Sequence, residues 1–496
     1  MNNNSIRLLT LWTYDVKSKE FADLLKELNV DFCGYFYEDE SQIMKESKFD
    51  PIYLYNKLQF YTDNNENFEP LDENIIRKMQ PYEQACMDII NRWRRSYSTR
   101  ESYRDIRELY YIFLAYWNNY IIKKGINCLI LTAIPHIINT FVPYALCKVY
   151  DIPVIILNNM SYISGEKGNY FLQSCIEELD PDFLDRVKYY DEEYKNGEKI
   201  VVNSANQKYF DQYSQENKKI ARVIGYNQKG GVLDKIKQYI SRGKVYIKKG
   251  EYSVLFNKMK YIFGLKSSEK KFLKTVAKME QNPVQGEQFL LYPLHMQPEA
   301  TTLPLGGCFV DQLLIIKMIA SVLPENVYLY VKEHPVYWSR KDNWESVKEG
   351  RNIRFYEDII KLRNVRLIKH DYSSLELIDK CKCLVTVTGT AGFEAIFKMK
   401  PVMVFGNIYY NQFKSVINVR TNEECKRAVE CVVNDNVVPY TKEDIAVYLK
   451  AMEKYMVTLG TIYKACEDNG IQKYDSGDIK NLADCIARYY KDYYDI

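Results

Sequence analysis

Apolar residues recur along this chain with two periods, and the places where the period changes mark out its elements. Ile6–Trp12 reads as a strand, Ser18–Leu28 as a helix with Phe21, Leu24, Leu25 and Leu28 on one face, and Asp31–Tyr37 as a second strand. Residues 42–125 read as mostly helical. A strand over Ile126–Thr132, a helix over Ile137–Val149 and a strand over Ile152–Leu157 then form a βαβ unit. The pattern loosens from about Asn158, and residues 206–285 read as helical, basic and rich in Tyr. Alternation resumes with strands at Phe289–Tyr292, Val327–Val331, Val365–Ile368, Cys383–Val387 and Val402–Phe405. Between them lie helices at Asp311–Val322 and Ser374–Asp379. The chain beyond Glu423 reads as helical, ending in Ile479–Tyr494. Strands alternating with helices imply parallel sheets covered on both faces. The expected fold is α/β, with two Rossmann-like doubly wound domains at 1–205 and 286–422. A basic helical segment with a linker (206–285) separates them, and a helical tail (423–496) follows.

Composition narrows this picture. The 496 residues exceed one ordinary domain, and 47% hydrophobic with 27% charged residues describe a globular protein. No apolar run is long enough to span a bilayer, and Met1–Arg7 lacks a signal-peptide pattern, so a cytoplasmic protein is expected. The twelve Cys are scattered without a C-x-x-C pair, which suits free thiols. The net charge of +3 conceals a basic block. Residues 216–274 hold 16 Lys and Arg against 4 Asp and Glu, a local excess of 12. Such a block suits an anionic membrane surface or a lipid-linked phosphate. A solvated helical face would look the same. No nucleic-acid module is recognisable, so nucleic acid is not an expected partner.

The chemistry collects after the strands of the second α/β domain. Thr388-Gly-Thr-Ala-Gly392 is a strand-to-helix turn of small residues, with backbone N–H groups at a helix N-terminus where phosphate is favoured. Thr388 and Thr390 add hydroxyls, Gly389 and Gly392 allow close approach, and Glu394 lies one turn on. A plain βα corner would use similar residues. His295 and Gln297 follow the first strand of this domain, Lys332, His334 and Pro335 the next, and His370-Asp371 the third. Three of the four His thus fall at the carboxyl edge of one expected sheet, where open α/β sheets bind ligands. The fourth, His136, falls at the matching edge of the first domain. Asp180-Pro-Asp182 has the form of a metal-binding D-x-D motif but lies outside this pattern, and no metal site is expected.

Three blocks carry a family resemblance: Tyr292-Pro-Leu-His-Met-Gln-Pro-Glu299, Val331-Lys-Glu-His-Pro335, and Thr386–Ala395 followed by Lys400–Gly406. Together they resemble the bacterial capsule polysaccharide biosynthesis proteins, which include Kdo transferases of the GT-B type. The resemblance covers about residues 286–410. It implies two domains facing across a cleft and a glycosyltransferase that needs no metal or cofactor. The first domain would be the acceptor side. The substrates implied are a nucleotide-sugar donor, CMP-Kdo or similar, and a glycan or lipid-linked acceptor. By that resemblance His334-Pro335 holds the cytidine monophosphate of the donor and Thr388 and Thr390 its phosphate, while His295, Gln297, Lys332, Gly389, Ala391 and Glu394 are expected to line the donor site from their place at the sheet edge. Glu299 is the favoured catalytic carboxylate, with Asp15 and His136 as rivals from the other domain. The chain has Lys-Glu-His-Pro where many family members have Lys-Pro-His-Pro. A sugar-nucleotide epimerase of UDP-GlcNAc type and a non-catalytic carbohydrate- or lipid-binding subunit of an export complex are the alternatives.

Overall fold

The two alternating stretches form two sheets in the computed structural model. It describes residues 6–11, 30–37, 51–53, 69–95, 103–161, 167–214, 270–297, 299–334, 351–460, 472 and 475–494. The first sheet contains β1 (Ile6–Leu11), β2 (Val30–Tyr37), β3 (Pro51–Tyr53), β4 (Cys128–Leu131), β5 (Val154–Ser161), β6 (Gly168–Gln173) and β13 (Met456–Leu459). Its order is β13-β6-β5-β4-β1-β2-β3. Strands β1 to β5 pair in parallel, and β6 and β13 are antiparallel additions. The second sheet contains β7 (Gln288–Pro293), β8 (Val327–Lys332), β9 (Val365–Ile368), β10 (Cys383–Thr386), β11 (Val402–Val404) and β12 (Val416–Asn418). All are parallel, in the order β12-β11-β10-β7-β8-β9. From β7 the chain winds outward through β8 and β9, then restarts on the other side at β10. That reversal leaves a crevice at the carboxyl ends of β7 and β10.

Helices cover the sheets. Around the first are α1 (Glu73–Arg95), α2 (Tyr103–Lys124), α3 (Ile138–Val149) and α4 (Pro181–Lys195), while α5 (Ser204–Ser214) packs against the helices at 390–397 and 442–452. Around the second are α6 (Gln312–Val322), α7 (Ile353–Ile360), α8 (Ser374–Lys380), α9 (Thr390–Phe397) and α10 (Asn422–Val433). Then come α11 (Lys442–Met452) and α12 (Ser476–Tyr494). The central strands are apolar throughout because both faces are buried. Leu290, Val385 and Met403 pack towards Ile315, Ile316 and Val429; Leu291, Leu384 and Val402 point the other way, towards Phe393 and Ile396. The second of these layers continues into the first sheet through Phe171, Tyr409, Tyr448 and Tyr489.

The α/β class and the two doubly wound sheets are as expected. The tail differs, since after α11 it contributes β13 to the edge of the first sheet. Strands β6 and β13 are short and mixed in polarity, with Asn169 and Gln173 buried, so they carry no period-two signal. Asp180 and Asp182 act as clamps. Asp180 is buried and accepts from Ser174 and from the Tyr489 hydroxyl of α12, while Lys454 lies 3.4 Å from Asp182. The basic block from 216 to 269 and the expected helix at 18–28 lie outside the described residues. Among those described, no helix is long and apolar enough to cross a membrane. The ten cysteines whose side chains are described are free, and all but Cys308 and Cys431 are buried.

The two sheets meet at loops leaving the second. Asn407 Nδ2 donates to the Ile176 carbonyl (2.9 Å), the Tyr409 hydroxyl to Met160 (3.3 Å), and Arg92 to Leu303 (3.2 Å). Gly406 lets three backbones converge there. A Cβ at 406 would strike Thr388 Cγ2 and lie 2.7 Å from the Leu305 carbonyl oxygen. Gly406→Ala should therefore cost about 1–3 kcal/mol of stability by overpacking. A urea titration with an unchanged midpoint would contradict this packing.

Candidate functional site

The loop after β7 is held by its backbone, which frees its imidazole to point at β10. Gln312, at the start of α6, accepts from His295 N (2.8 Å) and donates to His295 O (3.1 Å). The ring then takes its Nε2 to the end of β10, where Val387 N–H donates to it at 3.1 Å and Thr386 Oγ1 lies at 3.0 Å. Thr386 Oγ1 in turn accepts from Gly389 N–H (2.9 Å). A backbone N–H can only donate, so Nε2 is an acceptor and the neutral ring carries its proton on Nδ1. Burial lowers this pKa to about 3, and the nearby charges of His334 and Arg351 push the same way. The unfolded ring would ionise near 6.5. Residue 295 therefore favours the fold above that pH and loses its contribution as pH falls towards 3.

The loop after β8 is braced by a buried ion pair. Glu333 and Arg351 are both about 1% exposed, with Arg351 Nε 3.2 Å from Glu333 Oε2. Glu333 also accepts from the Tyr356 hydroxyl (2.6 Å) and from His334 N–H (2.7 Å). Arg351 donates to the His295 carbonyl (2.8 Å) and to Gln297 Oε1, and it stacks on Phe355. One guanidinium thus ties the loop after β7 to the loop after β8. Lys332 is buried and donates to His370 O at 3.0 Å, tying β8 to the exit of β9. His370 is held by Glu280, whose carboxylate lies 2.8 Å from Nδ1. Burial raises the pKa of that carboxyl.

The turn after β10 opens α9 without a side-chain cap. Gly389 is the N-cap residue and offers no side-chain oxygen. Among the described residues the N–H groups of Thr390 and Ala391 make no hydrogen bond. The turn is fixed from outside instead. The Tyr410 hydroxyl donates to Gly389 O, and Tyr410 stacks on Phe393 with ring centres 5.6 Å apart. A Cβ at 389 would lie 2.8 Å from His295 Cε1, so glycine is required where imidazole meets turn.

The structure brings His295, Gln297, Lys332, His334, Thr388, Gly389, Thr390, Ala391 and Glu394 to one sheet edge, but in different roles. Thr390 is exposed and Ala391 half-buried at the open helix end. Thr388 is buried and its hydroxyl donates to Thr301 O at 2.5 Å, so here it braces a loop. Gln297 likewise spans from Arg351 to Val310 O. Glu394 is buried inside α9 and is not displayed to solvent. Glu299 is exposed and begins the turn that runs through Thr302 and Leu303 towards the first sheet. His136 follows β4, where Nδ1 donates to Ile134 O at 2.7 Å; burial lowers its pKa. Asp15 and Pro335 lie outside the described residues. Sequence reasoning missed Arg351, Thr386 and Gln312. Arg351 is far in sequence from what it holds, and only the Glu333 departure hinted at a buried cation nearby. Among the described residues no group of three or more His, Cys, Asp or Glu is placed to hold a metal ion.

Fold and site together define a two-sheet α/β protein with an uncapped helix end at the crevice of a fully parallel sheet. Residues 236–413, which include this site, match the family described as capsule polysaccharide biosynthesis protein, so the resemblance carried by the three sequence blocks holds. A curated relative, the capsule polysaccharide export protein KpsS of Escherichia coli, is 32% identical over 95 residues. That match covers 18% of this chain and about a fifth (21%) of the relative's length. Solved structures align more widely but weakly. The Thermosulfurimonas dismutans KpsC beta Kdo 2,7 transferase aligns over 83% of this chain and 96% of its own, at 11% identity and a TM-score of 0.30. The UDP-GlcNAc 2-epimerase of Methanocaldococcus jannaschii aligns over 88% and 94%, at 12% and 0.28. Likenesses of that order carry no argument about activity.

The ion pair yields a test of the site's rigidity. Arg351→Met leaves Glu333 buried without its cation and should cost about 3–5 kcal/mol, part of which Glu333→Gln in the same chain should restore. Chemical denaturation of the two variants measures both numbers. A loss below about 1 kcal/mol in Arg351→Met would contradict the clamp.

Proposed function

We propose that the carboxyl edge of the second sheet binds a nucleotide-activated sugar, and that the protein transfers that sugar to a surface or capsular polysaccharide acceptor. One observation carries the reading: α9 begins at the crevice between β7 and β10 with no side-chain cap and two N–H groups unclaimed among the described residues. Such an end suits a phosphate. The family match over 236–413 supports the polysaccharide acceptor. The His334-Pro335 block supports a CMP-activated donor such as CMP-Kdo. In this reading the donor phosphate lies against Gly389, Thr390 and Ala391, and the N–H groups stabilise charge on the leaving phosphate as the glycosidic bond breaks. Glu299 then acts on the sugar side, with His136 and Asp15 as its rivals. Transfer takes place in the cytoplasm, with residues 216–274 against the inner face of the membrane.

KpsS is named for export, which favours a second reading of this chain as a non-catalytic glycan- or lipid-binding subunit. In that reading this chain would bind acceptor glycan without nucleotide. A thermal-shift panel of CMP, UDP and GDP separates the two. Saturating nucleotide at about 100 times Kd should add about 2.7 kcal/mol of stability. His334→Ala should keep the unliganded Tm, shrink the nucleotide-induced rise and cut turnover at least about tenfold. No shift with any nucleotide, alongside binding of capsular glycan, would overturn the transferase reading.

A further inference from the structure

We propose that His295 contacts the ligand itself, as an imidazole held in one tautomer whose Nδ1–H donates to a phosphate oxygen lying against the first turn of α9. This deepens the donor-binding reading and rests on it. The tautomer follows from hydrogen-bond direction alone. Val387 N–H points at Nε2, so Nε2 must supply a lone pair. A proton on Nε2 would set two N–H groups head to head. The ring therefore carries one proton, on Nδ1, and takes a second only by breaking its tie to β10.

Nδ1 is the unusual atom. His295 is 7% exposed, yet its Nδ1 has no hydrogen-bond partner among the described residues. An N–H left unclaimed at a sheet edge is open to solvent and to use by a ligand. Its position supports that use. Nδ1 is bonded to Cε1, which lies 2.8 Å from where a Cβ at Gly389 would stand. The imidazole thus abuts the turn at which Thr390 N–H and Ala391 N–H open α9. Two of the three donors are backbone and the third is a neutral ring. The chemistry they suit is an anionic phosphate oxygen read by hydrogen bonds and the helix dipole. The charged and titratable groups facing the ring are Arg351 and His334. Arg351 is engaged with Glu333 and Gln297, and among the described residues no carboxylate acts on the ring to favour an imidazolium.

Two isosteres divide the ring's roles. In His295→Gln the amide oxygen can stand near Nε2 and accept from Val387 N–H, but no donor stands at Nδ1. In His295→Asn the amide NH2 can stand near Nδ1, but the acceptor for Val387 is lost. Nitrogen NMR of the histidine-labelled full chain reads the tautomer directly, since four His give four ring signals and His295→Gln removes one. The expected signal shows protonated Nδ1 and bare Nε2 and does not titrate from pH 8 to 5. It shifts on addition of CMP or of inorganic phosphate. His295→Gln should keep the wild-type Tm and weaken CMP binding about tenfold by calorimetry. His295→Asn should lower Tm and lose less affinity. A titrating ring, or one protonated at Nε2, would overturn the proposal. So would full CMP affinity in His295→Gln, a result that leaves the donor-binding reading standing. If no nucleotide binds the wild type, that reading fails, and inorganic phosphate still decides this one: an unmoved Nδ1 signal overturns it.

Discussion

The second sheet depends on how the backbone at the end of β10 is satisfied. A parallel ladder stops where its strands stop, and at a crevice where the neighbours turn away there is no further strand to accept the next N–H. Val387 is that next residue. His295 supplies the acceptor from the end of β7, and Thr386 passes the connection to Gly389. Because the acceptor is a ring, it brings a second nitrogen, for which no hydrogen bond is seen among the described residues. Because Gly389 has no side chain, the turn can lie against that ring. The open end of α9 follows from both conditions.

The rest of the edge keeps His295 where it is. Gln312 holds its backbone from α6, and Arg351 holds its carbonyl from a residue 56 positions away. Burying a guanidinium and a carboxylate is costly, and such pairs are retained where they fix a geometry that apolar packing would leave loose. Here the geometry fixed is the spacing between the loops after β7 and β8. The loop after β7 continues past Glu299 to Leu303 and Leu305, which pack with Ile134 and Ile138 of the first sheet. That edge and the first sheet are therefore joined through the segment that also positions His295.

Much of the second sheet was legible in the sequence because parallel strands buried on both faces are written as uninterrupted apolar runs. Val365–Ile368 is the same strand in both readings, and Cys383–Val387 and Val402–Phe405 differ from the observed strands by one residue each. The gathering of His295, His334 and Gly389 at one edge was legible for the same reason, since each follows such a run. The roles within the edge were not. Nothing in Thr388-Gly-Thr390 distinguishes a hydroxyl turned to Thr301 from one turned to solvent. Arg351 sits outside every motif, and its partners are assembled only by the fold. The strands β6 and β13 escaped because their buried polar residues, Asn158 to Gln173 and Asn169 to Thr458, pair with one another across strands. Such pairing satisfies polar groups without leaving an apolar pattern.

The most direct measurement is a crystal structure of the full chain grown with CMP. The account predicts the phosphate at the N-terminus of α9, with oxygens about 3 Å from Thr390 N, Ala391 N and His295 Nδ1. Nucleotide bound elsewhere, or bound at that crevice with its phosphate turned away from α9, would contradict it.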